Sequence, residues 1–219
     1  MKYLTKAWYE EAQIIKSVLT FPETEEKWKE EIAWFEARGM DILDIRKRQL
    51  AHWKPVLLRL MPAAFHPAVE DGTLAAVWPS EELRALAARI EEDFDARTDA
   101  LMAEYRNDVN SVKSRLPAGI VRLHENPLHD ARIRSVERPS ADRLVMELDS
   151  DGAMFYDADV RLTFTGVRRV EGEFPPPGSN WMTDEVFLAD EGFEFHMLFD
   201  CPLAELTLSA ADVEIVFLR

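Results

Sequence analysis

The stretch that decides the fold is SEELRALAARIEEDFDARTDALMAEYRNDVNSVKSRL, residues 80–116. Its apolar side chains recur at steps of three, four or seven residues, which places them on one face of a helix. They are Leu83, Leu86, Ile90, Phe94, Leu101, Tyr105, Val109, Val112 and Leu116. Ser80 followed by two glutamates is a typical helix start, and Pro117 with Gly119 is a typical stop. The stretch therefore predicts one long amphipathic helix.

The sequence before this helix has the same period. Residues 5–20, a stretch from Thr24 to Gly39, and residues 41–61 each place apolar side chains on one helical face. Pro55 lies inside the third stretch and is expected to kink or split it. Residues 61–80 are rich in turn formers and read as an ordered loop packed on the helices.

After Pro117 the period of the apolar residues changes from helical to alternating. Seven short segments are rich in β-branched and aromatic residues, and turn sequences separate them. They are residues 131–138, 142–149, 159–170, 184–189, 192–199, 204–209 and 212–219. Without helices between them, such segments form an antiparallel sheet or a small sandwich. The sequence therefore predicts an α+β fold, with a helical region at 1–116 and a mostly antiparallel β region at 117–219.

The charge of the chain limits its partners. The net charge is −15, and residues 117–219 hold 9 arginines, no lysine and 20 acidic residues, which leaves −11 on the β region. Such a surface repels phosphate, so nucleic acid and anionic membranes are disfavoured as partners, whereas a basic protein is permitted. No apolar run reaches the ~20 residues that span a bilayer. Cys201 is the only cysteine, and a cytoplasmic protein without a disulfide is expected.

Five residues are candidates for a binding site. His129 and Asp130 are adjacent, although neighbours on a strand would point to opposite faces. His66 and Asp71 lie in the turn-rich segment, where aromatic residues could line a pocket. Trp181 follows a proline-rich loop and could anchor an interface. Each has a structural alternative: a turn, a cap or packing against the core.

No motif predicts a catalytic residue, a cofactor or a metal site. The cluster from Asp149 to Asp159 could bind a calcium-like cation, because hard cations favour carboxylates in a turn. The cluster lacks the remaining ligands of a calcium loop. An acidic hairpin turn is the favoured alternative.

Several motifs carry a resemblance to a known family. They are the opening MKYLTKAWYE, FHP at 65–67, DGTL at 71–74, PSEELR at 79–84, LHDARI at 128–133, LTFTGV at 162–167, DEVFL at 184–188 and GFEFHMLF at 192–199. Together they resemble the uncharacterised bacterial domain-of-unknown-function family numbered 4085. The resemblance implies a bacterial intracellular protein and implies no activity. The segment from LHDARI to LTFTGV also looks like the sheet of certain bacterial immunity proteins, which bind toxins.

The function predicted from these observations is that of a non-enzymatic, acidic protein-interaction module. A small-molecule or metal-dependent enzyme with a cleft near His66, His129 and Asp130 is the alternative. A homodimer that uses the exposed length of the long helix is also open.

Overall fold

The computed structural model describes residues 1–218 and confirms the α+β fold. Within these residues the helices are α1 (Lys6–Ser17), α2 (Glu25–Glu36), α3 (Ile42–Leu60), α4 (His66–Glu70), α5 (Thr73–Ala76), α6 (Glu81–Val112) and α7 (Ala118–Glu125). The strands are β1 (Arg132–Ser140), β2 (Arg143–Asp149), β3 (Val160–Thr165), β4 (Arg169–Gly172), β5 (Asn180–Leu188), β6 (Phe193–Asp200), β7 (Ala204–Ala210) and β8 (Asp212–Phe217).

The chain divides into two compact units. The helical unit comprises Ala7–Ala100, and the sheet unit comprises Met1–Lys6 together with the chain from Leu101 onward. Helix α6 contributes its first part to the helical unit and its last part to the sheet unit. No helix within residues 1–218 is long and apolar enough to cross a membrane.

The helical unit is held together by one apolar cluster. Its fully buried side chains include Ile14, Ile15, Leu57 and Phe65. Helix α3 runs through Pro55 without a break, because packing of its apolar face stabilises a helix more than one lost hydrogen bond destabilises it. The segment predicted as a loop, residues 61–80, contains the short helices α4 and α5.

The long helix begins and ends close to the predicted positions. The Ser80 hydroxyl accepts a hydrogen bond from the backbone N–H of Leu83 at 3.3 Å, as a helix cap does. A 3-10 turn at Lys113–Arg115 follows α6, and a helix, α7, follows Pro117 where only strands are predicted. Helix α7 packs closely on β8, since a Cβ atom at Gly119 would lie 1.8 Å from the Val213 carbonyl oxygen.

The strands form one antiparallel sheet in the order β4-β7-β6-β5-β1-β2-β3-β8. The predicted strand at 159–170 is divided into β3 and β4, which pair with β8 and β7 respectively. The edge strand β4 continues β3 after a bend, and the other edge strand, β8, continues β7. The pairs β3–β8 and β4–β7 therefore form one continuous two-stranded ribbon, which connects the two edges and closes the curled sheet. Gly166 allows the bend: its φ is 59°, and a Cβ atom there would lie 2.6 Å from the Ala211 Cβ.

Aromatic side chains fill the inside of this curled sheet. Phe164 on β3 lies 6.2 Å from Phe195 on β6, measured between ring centroids, and Trp181 lies 5.9 Å from the same ring. These rings are fully buried. The sheet thus has its own aromatic core.

Candidate functional site: a cavity around Asp184

The sheet unit contains a cavity of about 260 Å³. Three parts of the chain build it: the N-terminal segment, the helices α6 and α7 with the residues after α7, and strand β5. Its lining residues are Leu4, Met102, Tyr105, His124, Pro127, His129, Met182, Thr183 and Asp184. The wall is largely apolar, and four side chains in it can bind or exchange a proton.

The N-terminal segment is positioned by the buried carboxylate of Glu185. This carboxylate accepts hydrogen bonds from the backbone N–H groups of Lys2 at 2.7 Å and Tyr3 at 2.8 Å, and from that of Leu4. A carboxylate that accepts several backbone hydrogen bonds stabilises the segment that donates them. Leu4 is thereby held at the cavity wall.

Tyr105 connects α6 to strand β5. Its hydroxyl accepts a hydrogen bond from the backbone N–H of Val186 at 2.9 Å and lies 3.4 Å from His124 Nδ1. Burial raises the pKa of Tyr105, with the charge of Asp184 as a smaller cause, and burial lowers the pKa of His124. Both side chains are therefore neutral near pH 7, and the phenol can donate to the imidazole.

Asp184 is the buried acid of the cavity. It is 8% exposed, and its Oδ2 accepts a hydrogen bond from Trp181 Nε1 at 3.1 Å. Burial raises the pKa of Asp184 to about 7, because a carboxylate loses its hydration in an apolar site. The Trp181 hydrogen bond and His129 oppose the shift, whereas Glu185 adds to it. Near neutral pH the carboxyl group is therefore divided between its protonated and ionised forms.

His129 lies at the cavity and remains 58% exposed. Its Nδ1–H donates to the carbonyl oxygen of Met182, and its Nε2 lies 3.6 Å from Asp130 Oδ2. The expectation that neighbouring His129 and Asp130 would point apart is wrong. Asp130 is in a turn before β1 with a φ of 67°, so strand alternation does not apply to it.

The other candidate residues from the loop segment have local structural contacts. His66 belongs to the helical unit, where its Nε2–H donates to the Met61 carbonyl oxygen at 3.0 Å. Asp71 accepts from the backbone N–H of Thr73 at 2.9 Å and from its hydroxyl at 2.7 Å. These hydrogen bonds lower the pKa of Asp71. The structure brings His129 and Asp130 together, and it places His66 and Asp71 in the other unit.

Trp181 does not lie at a loop mouth. It is a residue of β5 with 0% exposure, and its ring meets that of Phe199 edge-on at 5.3 Å. The interface interpretation is therefore wrong, because a partner cannot reach this side chain. Its contribution to the cavity is the indole N–H that it donates to Asp184.

The acidic turn from Asp149 to Asp159 is bridged by an arginine. Arg134 forms an ion pair with Asp159 and lies 3.7 Å from Asp149. Within residues 1–218, no group of three or more His, Cys, Asp or Glu side chains is arranged to hold a metal ion. The arginine therefore supplies the positive charge next to these carboxylates.

The sequence analysis does not predict Asp184 or Tyr105 as site residues. Tyr105 belongs to the apolar face of the long helix, where an aromatic residue indicates packing. The signal that could have found Asp184 is the Asp184-Glu185 pair inside an apolar segment. Two adjacent acids on a buried strand cannot both face water, and a buried acid marks a candidate functional site.

The fold and site define a class: an α+β protein whose curled antiparallel sheet carries a small cavity with a buried carboxyl group. The chain belongs to the family described as "Protein of unknown function (DUF4085)", whose sequence model matches residues 3–210. The match confirms the resemblance that the sequence motifs indicated. A comparison with curated proteins finds no match.

Proposed function

We propose that the protein binds a small organic amine in the Asp184 cavity, with the Asp184 carboxylate as its counter-ion. The observation that supports the proposal is a buried carboxyl group, 8% exposed, at the wall of a cavity of about 260 Å³. A carboxylate in such a position has lost its hydration, and a bound ammonium group would compensate for that loss. An anionic ligand would instead meet the charge of Asp184.

The remaining lining residues favour an amine with an apolar body. Leu4, Met102, Pro127 and Met182 supply apolar surface. The volume lies below the roughly 300–1,000 Å³ of pockets that accept drug-sized ligands. The expected ligand is therefore about the size of a single substituted ring.

The raised pKa of Asp184 gives the binding a defined pH dependence. An ammonium group binds the ionised carboxylate, and the fraction ionised falls about tenfold per pH unit below the pKa of about 7. Affinity should therefore rise with pH up to about 7 and then level off. Benzylamine keeps its charge over this range, which makes it a suitable probe.

The test compares benzylamine with the uncharged benzyl alcohol on protein labelled with 5-fluorotryptophan. Trp181 is the only tryptophan of the sheet unit, so one fluorine resonance reports on the cavity. Benzylamine should shift that resonance at lower concentration than benzyl alcohol does, and Asp184→Asn should remove the difference. Asp190→Asn, at an exposed position after β5, is the matched control and should bind as wild type does. Equal binding of both probes, or unchanged binding by Asp184→Asn, would refute the proposal.

A second candidate function is recognition of a basic protein by the acidic sheet unit. Four of its arginines are already paired with neighbouring carboxylates: Arg134, Arg161, Arg168 and Arg169. Exposed acids such as Glu137, Glu173 and Glu214 add to the negative surface. This proposal locates the protein in the cytoplasm, which fits the exposed thiol of Cys201.

Charge reversal tests this second candidate. Replacing Glu137, Glu173 and Glu214 together by lysine should abolish salt-sensitive capture of a basic partner. The same number of reversals in the helical unit, at exposed Glu30, Glu36 and Glu92, is the control. Capture that survives both sets, or that is insensitive to salt, contradicts the candidate. A homodimer stays a prediction, for which light scattering is the measurement.

A further inference from the structure

The helical unit contains a second cavity, of about 280 Å³. It lies among the end of α1, helices α2 and α3, and the segment around α5. Phe21, Trp28, Ile45 and Leu74 supply apolar wall, and Arg46 supplies a guanidinium group. This cavity shares no lining residue with the Asp184 cavity.

Arg46 is only partly engaged by its neighbours. Its Nη2 forms an ion pair with Glu31 Oε2 at 2.8 Å, while its Nη1 is enclosed and has no hydrogen-bond partner among the described residues. The guanidinium carbon lies 5.9 Å from the centre of the Trp28 ring. An enclosed guanidinium nitrogen without an acceptor is costly, because it has given up water without a replacement.

The other cation of this cavity is already neutralised. Lys16 Nζ lies 2.9 Å from Glu91 Oε1 and 2.8 Å from Asp95 Oδ1. Asp95 and then Glu91 raise the pKa of Lys16, as such pairs do. Arg46, which has one nitrogen without a hydrogen-bond partner among the described residues, is therefore the cation of this cavity that is only partly paired.

We infer that this second cavity binds a small monocarboxylic acid with an apolar body. The Arg46 guanidinium group donates to the ligand carboxylate, and the apolar body packs against Trp28 and Phe21. Arginine suits this role because its planar nitrogens match a carboxylate. A dianion such as a phosphate monoester is disfavoured, because Glu31 is paired with the same guanidinium group and repels a doubly charged ligand more strongly than a singly charged one.

The test compares phenylacetate with the isosteric, uncharged phenylacetamide on the full-length protein. The readout is the indole N–H resonance of Trp28, with Trp34 on the same helix, 51% exposed, as internal reference. Phenylacetate should shift the Trp28 resonance and leave that of Trp34 in place. It should bind at least tenfold more tightly than the amide, which is the difference expected of one charge-assisted hydrogen bond.

Two variants distinguish Arg46 from the general charge of helix α3. Arg46→Met keeps an apolar stem of similar length and should remove the preference for the acid over the amide. Arg48→Met is the matched control, because Arg48 lies on the same helix, is 73% exposed and pairs with Asp44. This variant should keep the wild-type preference.

Two results would overturn the inference. One is a Trp28 resonance that does not respond to phenylacetate up to about 10 mM. The other is an equal affinity for the acid and the amide in the wild-type protein, a measurement that does not depend on whether Arg46→Met folds. Neither result bears on the Asp184 cavity, since its probe is an amine and its reporter is Trp181.

Discussion

Replacing Asp184 by asparagine should stabilise the sheet unit progressively as the pH rises. Asp184 has a pKa of about 7 in the folded protein and an ordinary value of 3.8. Between these values the unfolded chain releases the proton and the folded protein retains it, so wild-type stability falls with increasing pH. Each pKa unit corresponds to ~1.36 kcal/mol, and the whole shift therefore corresponds to about 4 kcal/mol. Asparagine does not ionise and avoids this loss.

The measurement is urea unfolding of wild type and Asp184→Asn at pH 4, 6 and 8. With 5-fluorotryptophan labelling, the Trp181 resonance follows the sheet unit separately from the five other tryptophans. The free energy of unfolding of the variant minus that of wild type should rise by about 4 kcal/mol from pH 4 to pH 8. Most of the rise should occur below pH 7. Comparing the two proteins at each pH cancels the titration of all other groups.

A difference that stays constant from pH 4 to pH 8 would refute this reasoning. It would mean that the Asp184 carboxyl is hydrated in the folded protein, and the amine proposal would lose its physical basis. Asp190→Asn, at an exposed position, is the control for general charge removal. Its difference from wild type should change little over the same range.

Three further substitutions test other contacts of the sheet unit. Glu185→Gln should release residues 2–4, because the amide keeps one acceptor atom where the carboxylate has two. Hydrogen exchange at the backbone amides of residues 2–4 should accelerate, and the free energy of unfolding should fall by about 2 kcal/mol. Gly166→Ala should lower the stability by about 1–3 kcal/mol, and more than Gly178→Ala does. Both glycines have positive φ, but only at Gly166 would the added Cβ meet a neighbouring atom; equal thermal unfolding shifts would contradict the close approach. Tyr105→Phe should lower the free energy of unfolding, measured by chemical denaturation, by about 1–3 kcal/mol, because it leaves the buried backbone N–H of Val186 on β5 without an acceptor. An unchanged denaturation midpoint would show that this hydrogen bond does not contribute to stability.

The periodicity of the sequence predicts most elements of the fold. The long helix follows from its apolar spacing together with Ser80 and Pro117, and the β region follows from alternation between turn sequences. Both predictions are confirmed. The sequence predictions fail where tertiary packing outweighs a local conformational preference. Pro55 does not interrupt α3, and a helix follows Pro117 because its apolar side chains Ile120 and Leu123 are fully buried.

The closure of the sheet could not be predicted from strand positions alone. The alternation of apolar and polar residues predicts where the strands lie but not which strands pair. The pairing of β3 with β8 and of β4 with β7 depends on a bend at Gly166. A glycine at that position is compatible with many backbone conformations. The close approach of Ala211, which lies between β7 and β8, is what requires a glycine at this bend, and that approach depends on the strand pairing.

What the sequence by itself determined is the local order: helices, then strands, a negative charge concentrated in the β region, and the family. What only the tertiary structure decided is the surroundings of each polar group. The tertiary structure buries Trp181, which the sequence predicts as an interface anchor. It also encloses one nitrogen of Arg46 and places Asp184 at the wall of a cavity. The physical reason is that burial and charge interactions are set by atoms distant in sequence, whereas helical or strand periodicity is set by neighbours along the chain.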